Sequence, residues 1–221
     1  TWKATVIPAV GGTITVKYTH HDGTAVNDFT SGDRDLAHTC LLTITATPDA
    51  GYKLGTLTVN DVPFTSGNVH TLTENAVIKV TWIAKATPTF EWSADSYTAV
   101  LETANTFPTL NNPNSLTPIT YKSSDENVAK IDVNGNVILG AVGTTTITAI
   151  GAETANYKSA TDSYTLKVVK RHTIKWIVNG DTDTPYATTY VVDGYALALP
   201  SNPDAPSTCE EKVFIGWTES A

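Results

Sequence analysis

One stretch of the chain combines histidines and carboxylates, the residue types that bind metal ions. It contains His20-His21-Asp22 and then the following residues: Asp28, Asp33, Asp35 and His38. Histidine and carboxylate are suitable metal ligands. However, no two of these histidines have the spacing of a metalloprotease helix, and polar loops tolerate such residues freely. We therefore interpret the stretch as a solvated surface loop and predict no metal site in it.

A second acidic motif is Asp181-Thr182-Asp183, which follows Asn179-Gly180. The motif is similar to the start of a calcium-binding loop. It lacks the Asp-Gly pair that should come next and the bidentate glutamate that closes such a loop. A turn explains these residue types without a metal. We predict that the protein uses no metal and no cofactor.

Asp125 and Glu126 are adjacent carboxylates of the type that glycosidases use. A glycosidase needs two carboxyl groups that flank a cleft at a defined separation, and the sequence suggests no partner for this pair. The chain also contains no G-x-S-x-G elbow, no phosphate-binding loop and no dinucleotide fingerprint. We therefore predict no catalytic residue, and that the chain is not an enzyme.

The five tryptophans could stack on sugar rings. Trp82, Trp176 and Trp217 lie in alternating runs or in a closing motif, where core packing is favoured because aromatic side chains dominate burial in small domains. Trp92, in the segment TFEWSADSY, and Trp2, near the start, are less constrained. These two residues are the candidates for ligand binding.

The composition indicates a β-protein. The chain has 39 threonines, 20 valines and 13 isoleucines in 221 residues, and β-branched side chains favour strands over helices. No apolar pattern at helical spacing extends over three turns. With 41% hydrophobic and only 16% charged residues, we do not expect disorder throughout. The net charge of −8 opposes binding to nucleic acid.

Cys40 and Cys209 match no metal-ligand spacing and no disulfide framework, so we interpret them as two small apolar residues. No apolar run approaches the ~20 residues that a membrane helix needs. No signal peptide is visible, and the chain contains no methionine. We expect a mature or trimmed fragment whose export signal or anchor lies outside this sequence.

Residues 1–84 contain three runs in which apolar and polar side chains alternate, beginning with Ile14, Val16 and Tyr18. The same alternation recurs in residues 42–47 and 78–82, and it predicts strands with one buried face. The stretch LTITATPDAGYKLGTLTVN, with GGTITV before it, resembles the divergent internalin-type B-repeat. The resemblance covers almost all of residues 1–84.

A linker at residues 84–88 leads into the second segment, residues 85–169. Their central stretch, ITYKSSDENVAKIDVNGNVILGAVGTTTITAI, resembles the bacterial Ig-like domain of group 2. Asn134-Gly135 predicts a two-residue turn in a tight hairpin, because both residue types accept positive φ. About seven short strands in ~85 residues suit an Ig-like sandwich.

Residues 170–221 contain HTIKWIVNGDTDTPYATTYVVDGYALALP and KVFIGWTES. Both stretches resemble the ordinary internalin-type B-repeat, which implies a small β-grasp-like sheet. Trp176 stands where phenylalanine is usual in that family. We therefore predict an all-β fold of tandem small modules, in which a central Ig-like β-sandwich is flanked by two β-grasp-like B-repeat sheets.

These resemblances imply a modular, secreted protein of the bacterial cell surface. Because fold does not give function, the activity is inferred by analogy: a non-catalytic extracellular stalk or spacer, with a role in adhesion. The alternative is a carbohydrate-binding accessory region of a larger secreted glycan-active enzyme. The expected partner is a host or microbial surface glycan or protein, and not nucleic acid. We expect a monomer, anchored through parts outside this sequence, with limited contact between modules.

Overall fold

The computed structural model describes residues 1–19, 28–178 and 184–201, and every regular element in them is a β-strand. The all-β prediction is therefore confirmed. Internal contacts divide the chain into two compact units: Thr1–Glu91 with Asn111–Thr120 and Ile150–Asp162, and Trp92–Leu110 with Tyr121–Ala149 and Ser163–Ala221. The three modules 1–84, 85–169 and 170–221 stay a prediction. Across the described ranges, we find no helix with the length and apolar character to span a membrane.

The described residues between 1 and 84 form two sheets from eight strands. The strands are β1 (Trp2–Ile7), β2 (Gly12–Thr19), β3 (Gly32–Leu36), β4 (Leu41–Pro48), β5 (Tyr52–Val59), β6 (Val62–Pro63), β7 (Val69–Thr71) and β8 (Ala76–Ala84). Five of them form a sheet in the order β3-β1-β8-β5-β6, and three form a sheet in the order β2-β4-β7. Strand β1 is antiparallel to β3 and parallel to β8.

The predicted alternation in these strands is confirmed. Ile14, Val16 and Tyr18 are buried on β2, and Leu42 and Ile44 are buried on the neighbouring strand β4. They belong to one core cluster, together with side chains of β1, β5 and β8. Burial of each large apolar side chain stabilises the fold by roughly 1.5–3 kcal/mol. The threonines that alternate with these residues lie on the solvent-facing side of the sheets.

Residues 85–169 form eight further strands. The strands are β9 (Glu91–Trp92), β10 (Ser96–Val100), β11 (Leu110–Asn111), β12 (Ile119–Ser123), β13 (Ala129–Ile131), β14 (Val137–Leu139), β15 (Gly143–Gly151) and β16 (Ala160–Val169). The strand order of the main sheet is β10-β16-β15-β12, and β11-β9 and β13-β14 form two-stranded sheets. Strand β10 is parallel to β16. The Ig-like arrangement of these strands stays a prediction.

The hairpin of β13 and β14 is present, but the predicted two-residue turn at Asn134-Gly135 is wrong. Ile131 pairs with Val137, and the Asp132 N–H donates to the Asn136 carbonyl at 3.0 Å, which leaves residues 133–135 as a three-residue loop. The Asp132 carboxylate organises this loop by accepting hydrogen bonds from the backbone N–H groups of Asn134 and Asn136, both at 2.8 Å. The Asn136 side chain also donates to it, and this bond contributes most to the lowered pKa of Asp132. Side-chain bonding of this kind replaces the tighter turn.

Beyond residue 169, the described residues contain one antiparallel pair of strands, β17 (Arg171–Trp176) and β18 (Ala187–Val192). The pairing runs from Arg171 opposite Val192 to Trp176 opposite Ala187. Successive side chains of a strand point to opposite faces. One face therefore carries the buried Trp176 ring, and the other carries residues that are mostly exposed.

Candidate functional site

The carboxylates of the predicted histidine and aspartate loop lie beside cationic side chains of the protein. His20, His21 and Asp22 lie outside the described residues. The Asp33 carboxylate accepts a hydrogen bond from the Thr5 hydroxyl at 2.8 Å and one from Lys3 at 3.1 Å. The Thr5 bond is the larger cause of the lowered pKa of Asp33. Nowhere in the described ranges do three or more His, Cys, Asp or Glu side chains form a metal-binding group.

The remaining residues of this predicted loop have individual contacts with other parts of the protein. Asp28 lies 3.9 Å from the Lys17 ammonium, an exposed pair. Asp35 is exposed on β3, opposite Lys3 in the strand register. The ring of His38 packs against the Trp2 indole, at 5.0 Å between centroids. The calcium-like motif Asp181-Thr182-Asp183, with Asn179 and Gly180, lies outside the described residues.

The Asp125 and Glu126 carboxylates lie on an exposed loop. Asp125 Oδ1 accepts a hydrogen bond from the Asn127 backbone N–H at 2.9 Å, and the Asp125 N–H donates to Thr145 Oγ1 at 2.9 Å. Thr145 is buried, and its hydroxyl also lies 2.8 Å from the Ser123 hydroxyl. Asp125 therefore stabilises its own loop, and these contacts indicate no catalytic role for Asp125 and Glu126.

The two tryptophans that we predicted as ligand candidates both pack against the protein. Trp92, on β9, is 8% exposed. Its indole makes an edge-to-face contact with Tyr164, at 5.0 Å between ring centroids, and lies 6.2 Å from Tyr121. Trp2, on β1, is half-buried against the core of residues 1–84. Trp92 therefore offers almost no ring surface on which a sugar could stack.

The other tryptophans and the cysteines fit packing roles where the structure describes them. Trp82 packs against the core of residues 1–84. Trp176 is buried, and its indole N–H donates to the Thr189 hydroxyl at 2.9 Å. Cys40 is buried in the same core as Trp82. Trp217 and Cys209 lie outside the described residues.

The predicted linker at residues 84–88 is hydrogen-bonded along its backbone. The Lys85 N–H donates to the Gly51 carbonyl at 2.8 Å. The Ala86 N–H donates to the Asn156 carbonyl at 3.0 Å, and a parallel β-bridge pairs Ala86 with Tyr157. All these residues belong to the first compact unit. These bonds join the predicted linker to residues on both sides of it, and the limited contact between modules stays a prediction.

The Glu153 carboxylate is the centre of this contact. It accepts one hydrogen bond from the Lys85 ammonium at 2.5 Å and one from the Gly51 N–H at 2.9 Å. The Lys85 side chain is only 12% exposed. The bond from Lys85 contributes most to the lowered pKa of Glu153, and the bond from Gly51 contributes next. We call Gly51, Lys85, Ala86, Glu153 and Asn156 the Glu153 joint.

The pH dependence of the Glu153 joint follows from this lowered pKa. The stabilisation is fully present above the pKa of the unfolded carboxyl group and is lost as the pH falls through the lower folded value. A further bond, from the Lys53 ammonium to the Asn156 side-chain oxygen at 2.8 Å, lies beside the joint. The sequence separation of Lys85 and Glu153 is 68 residues, so no local motif marks the pair.

A second feature is the exposed face of β17 and β18, which we call the tyrosine face. From the strand register, its members are Arg171, Thr173, Lys175, Thr188, Tyr190 and Val192. The Arg171 guanidinium lies over the Tyr190 ring, 4.5 Å from its centroid. The Tyr190 side chain remains 59% exposed. The face combines two cations with an exposed aromatic ring, and none of its six residues is acidic.

A shallow cavity of about 280 Å³ adjoins the tyrosine face. Tyr190 borders it together with Val191 and with Tyr195, which is 67% exposed. Thr98 and Val100 of β10 line it as well, and all these residues belong to the second compact unit. The arrangement offers hydroxyl groups and apolar ring surface to a small ligand. We did not predict this surface, because our search for stacking residues considered only the tryptophans.

Comparison with known proteins does not place the chain in a family. No protein-family model matches the sequence, and no curated protein is similar to it. The resemblances to the B-repeat and to the bacterial Ig-like domain therefore stay predictions.

Proposed function

We propose that this chain is a non-catalytic, extracellular stalk or spacer segment of a bacterial cell-surface protein. The observation that carries the proposal is the Glu153 joint. A spacer has to hold its parts at a fixed geometry, and a loose peptide tether does not. The joint ties residues 84–88 to Gly51 on one side and to Asn156 on the other, through backbone and side-chain bonds.

The energetics of the Glu153 joint differ from those of an ordinary surface ion pair. Exposed pairs contribute little, because solvent screens both charges. The Lys85 ammonium is largely buried, so removal of Glu153 leaves a partly desolvated charge without its partner. The exposed Lys79–Asp61 pair, at 2.7 Å, lies in the same unit and provides a matched comparison.

Hydrogen exchange, read by mass spectrometry, tests whether residues 84–88 act as a joint. The Lys85 and Ala86 amides should exchange slowly in the wild type, because both are hydrogen-bonded to carbonyl groups. In Glu153→Ala their exchange should become about tenfold faster or more. Glu153→Gln should give an intermediate result, because its amide oxygen still accepts from the Gly51 N–H.

The matched control is Asp61→Asn, which removes the exposed ion pair and should leave exchange at residues 84–88 unchanged. Unprotected exchange of Lys85 and Ala86 in the wild type would show that the segment is a tether. Equal acceleration in Asp61→Asn and Glu153→Ala would show that the joint has no special role. Either result contradicts the proposal of a rigid spacer.

Cellular location needs a separate test. Antibodies raised against this chain should label intact cells of the source bacterium without permeabilisation. Labelling that requires broken cells would contradict the cell-surface assignment. A cytosolic marker detected in parallel controls for lysis.

The second candidate function is a carbohydrate-binding accessory region of a larger secreted glycan-active enzyme. The specific observation in its favour is the tyrosine face, with the Tyr190 and Tyr195 rings exposed beside a cavity. Rings that stack on sugars need an accessible face, and this surface provides one where Trp92 does not. A glycan-binding role is also compatible with adhesion by a surface stalk.

A further inference from the structure

Among the residues that the structure describes, the tyrosine face carries two cations and no carboxylate, in a chain whose net charge is −8. Arg171 and Lys175 lie on the same face, separated by Thr173. The nearest acidic residue in the sequence, Asp193, is already engaged: its carboxylate accepts from the Lys170 N–H at 3.3 Å and lies 2.8 Å from His172 Nε2. The cations of the face are therefore not neutralised within it.

The contact between Arg171 and Tyr190 prepares the guanidinium for a ligand. A cation over an aromatic ring at 4.5 Å is held in place by the ring quadrupole. The guanidinium carries donors in a planar fork that fits a carboxylate with two parallel bonds. Its stacking on Tyr190 reduces the side-chain freedom that binding would otherwise have to remove.

The two exposed tyrosines supply the other half of a sugar site. A pyranose ring has apolar faces of C–H groups and a rim of hydroxyls. Tyr190 and Tyr195 present ring surface to the C–H groups, and their phenolic hydroxyls donate and accept hydrogen bonds. Thr98, which also lines the cavity, adds a further hydroxyl group.

From this combination we infer that the tyrosine face and its cavity bind a carboxylate-bearing sugar. Arg171 receives the carboxylate, Tyr190 and Tyr195 contact the sugar ring, and Lys175 contributes positive potential without direct contact. We infer an acidic sugar, and not a neutral one, because the ligand charge would complement the cations of the face. We infer a sugar, and not an acidic peptide, because the tyrosine side chains are exposed beside these cations. The inference rests on the carbohydrate-binding candidate function, whose ligand it specifies, and is independent of the spacer function.

Calorimetric titration of the full chain tests the inference with defined probes. Oligogalacturonate and sialyllactose both carry sugar carboxylates, and comparison of the two identifies which kind of acidic sugar is bound. The methyl ester of oligogalacturonate keeps the sugar rings and removes the charge. Polyglutamate keeps the charge and removes the rings. We expect binding to at least one acidic sugar, about tenfold or more weakened for the ester.

Three variants locate the site. Arg171→Gln should weaken binding of the acidic sugar about tenfold or more and abolish the preference over the ester. Tyr190→Ala should weaken binding of acid and ester alike. Lys175→Gln is the matched charge control on the same face and should weaken binding about threefold or less. Circular dichroism should show that all three variants keep the wild-type fold, because the substituted side chains are exposed.

Several outcomes would overturn the inference. They are the absence of binding to both acidic sugars, equal affinity for the acid and its ester, or equal affinity for polyglutamate and the acidic sugar. Equal losses of affinity in Arg171→Gln and Lys175→Gln would also contradict it. None of these outcomes affects the exchange of the Lys85 and Ala86 amides. Failure of the glycan site is therefore distinguishable from failure of the spacer proposal.

Discussion

Two aromatic groups in the second compact unit have opposite environments. The Trp92 indole packs edge-to-face on Tyr164 and close to Tyr121. Tyr190 and Tyr195 expose more than half of their side chains. Both groups belong to strands or turns of an all-β chain, and both contain rings of the type that stack on sugars.

Ring type alone therefore does not assign a role. Tryptophan is the strongest stacking residue, yet Trp92 fills space between neighbouring aromatic side chains. Tyr190 is smaller, but its side chain remains 59% exposed although the Arg171 guanidinium lies over one face of its ring. Substitution of Trp92 should therefore lower stability, and substitution of Tyr190 should weaken binding with little effect on stability.

The largest expected effect belongs to Trp92→Ala. The substitution removes a buried indole and its contact with Tyr164, and it leaves a cavity. Loss of a buried aromatic side chain typically costs about 3–5 kcal/mol. We expect a fall of that size in the free energy of unfolding, measured by urea denaturation. A loss below about 1 kcal/mol would show that the indole is not part of a packed core.

Trp92→Phe is the matched variant, because it keeps a ring against Tyr164 and loses only part of the volume. Its cost should lie well below that of Trp92→Ala. If Trp92→Phe abolished glycan binding without a change in stability, Trp92 would belong to a ligand site. The contrast between a structural Trp92 and a ligand-binding Tyr190 would then be wrong.

Much of the fold follows from local patterns in the sequence. Ile14, Val16 and Tyr18 alternate with polar residues, and the period of two places them on one buried face of β2. Such a pattern depends only on neighbours along the chain. The two-residue turn that we predicted at Asn134-Gly135 was wrong. The Asp132 carboxylate accepts hydrogen bonds from the backbone of the loop, and the residue preferences of a two-residue turn do not include this interaction.

The two candidate sites could not be predicted in the same way. Lys85 and Glu153 are brought together by pairing of distant segments, and nothing in the residues around either one indicates the partner. The tyrosine face depends on the register of β17 and β18, which aligns Thr173 with Tyr190. Register is a property of two strands, and the sequence of one strand does not give it.

A smaller effect is expected for the Tyr164 hydroxyl. Within the described residues this buried group has no hydrogen-bond partner. A buried hydroxyl without a partner is destabilising. Tyr164→Phe should therefore raise the free energy of unfolding by up to about 1 kcal/mol, measured by urea denaturation at neutral pH. A loss of stability would show that the hydroxyl does bond to a partner.

The same residue predicts a dependence on alkaline pH. Burial raises the pKa of Tyr164 to about 12, from an ordinary value of 10.0. The folded state then binds more protons than the unfolded state between these two values. The stability should fall as the pH rises from about 10 towards 12. Tyr164→Phe should remove this part of the fall, while Tyr190→Phe serves as the control and should leave it intact.

The smallest expected effect on stability belongs to Tyr190. Its ring contacts the Arg171 guanidinium at an exposed site, where a cation–π contact contributes about 0.5–1 kcal/mol. Tyr190→Ala should therefore lower the free energy of unfolding by less than about 1 kcal/mol, and Tyr190→Phe should leave it unchanged because the ring remains. The measurement is urea denaturation beside Trp92→Ala under the same conditions. A loss as large as that of Trp92→Ala would mean that the tyrosine face is a packed surface. It would then have no free ring to offer a ligand.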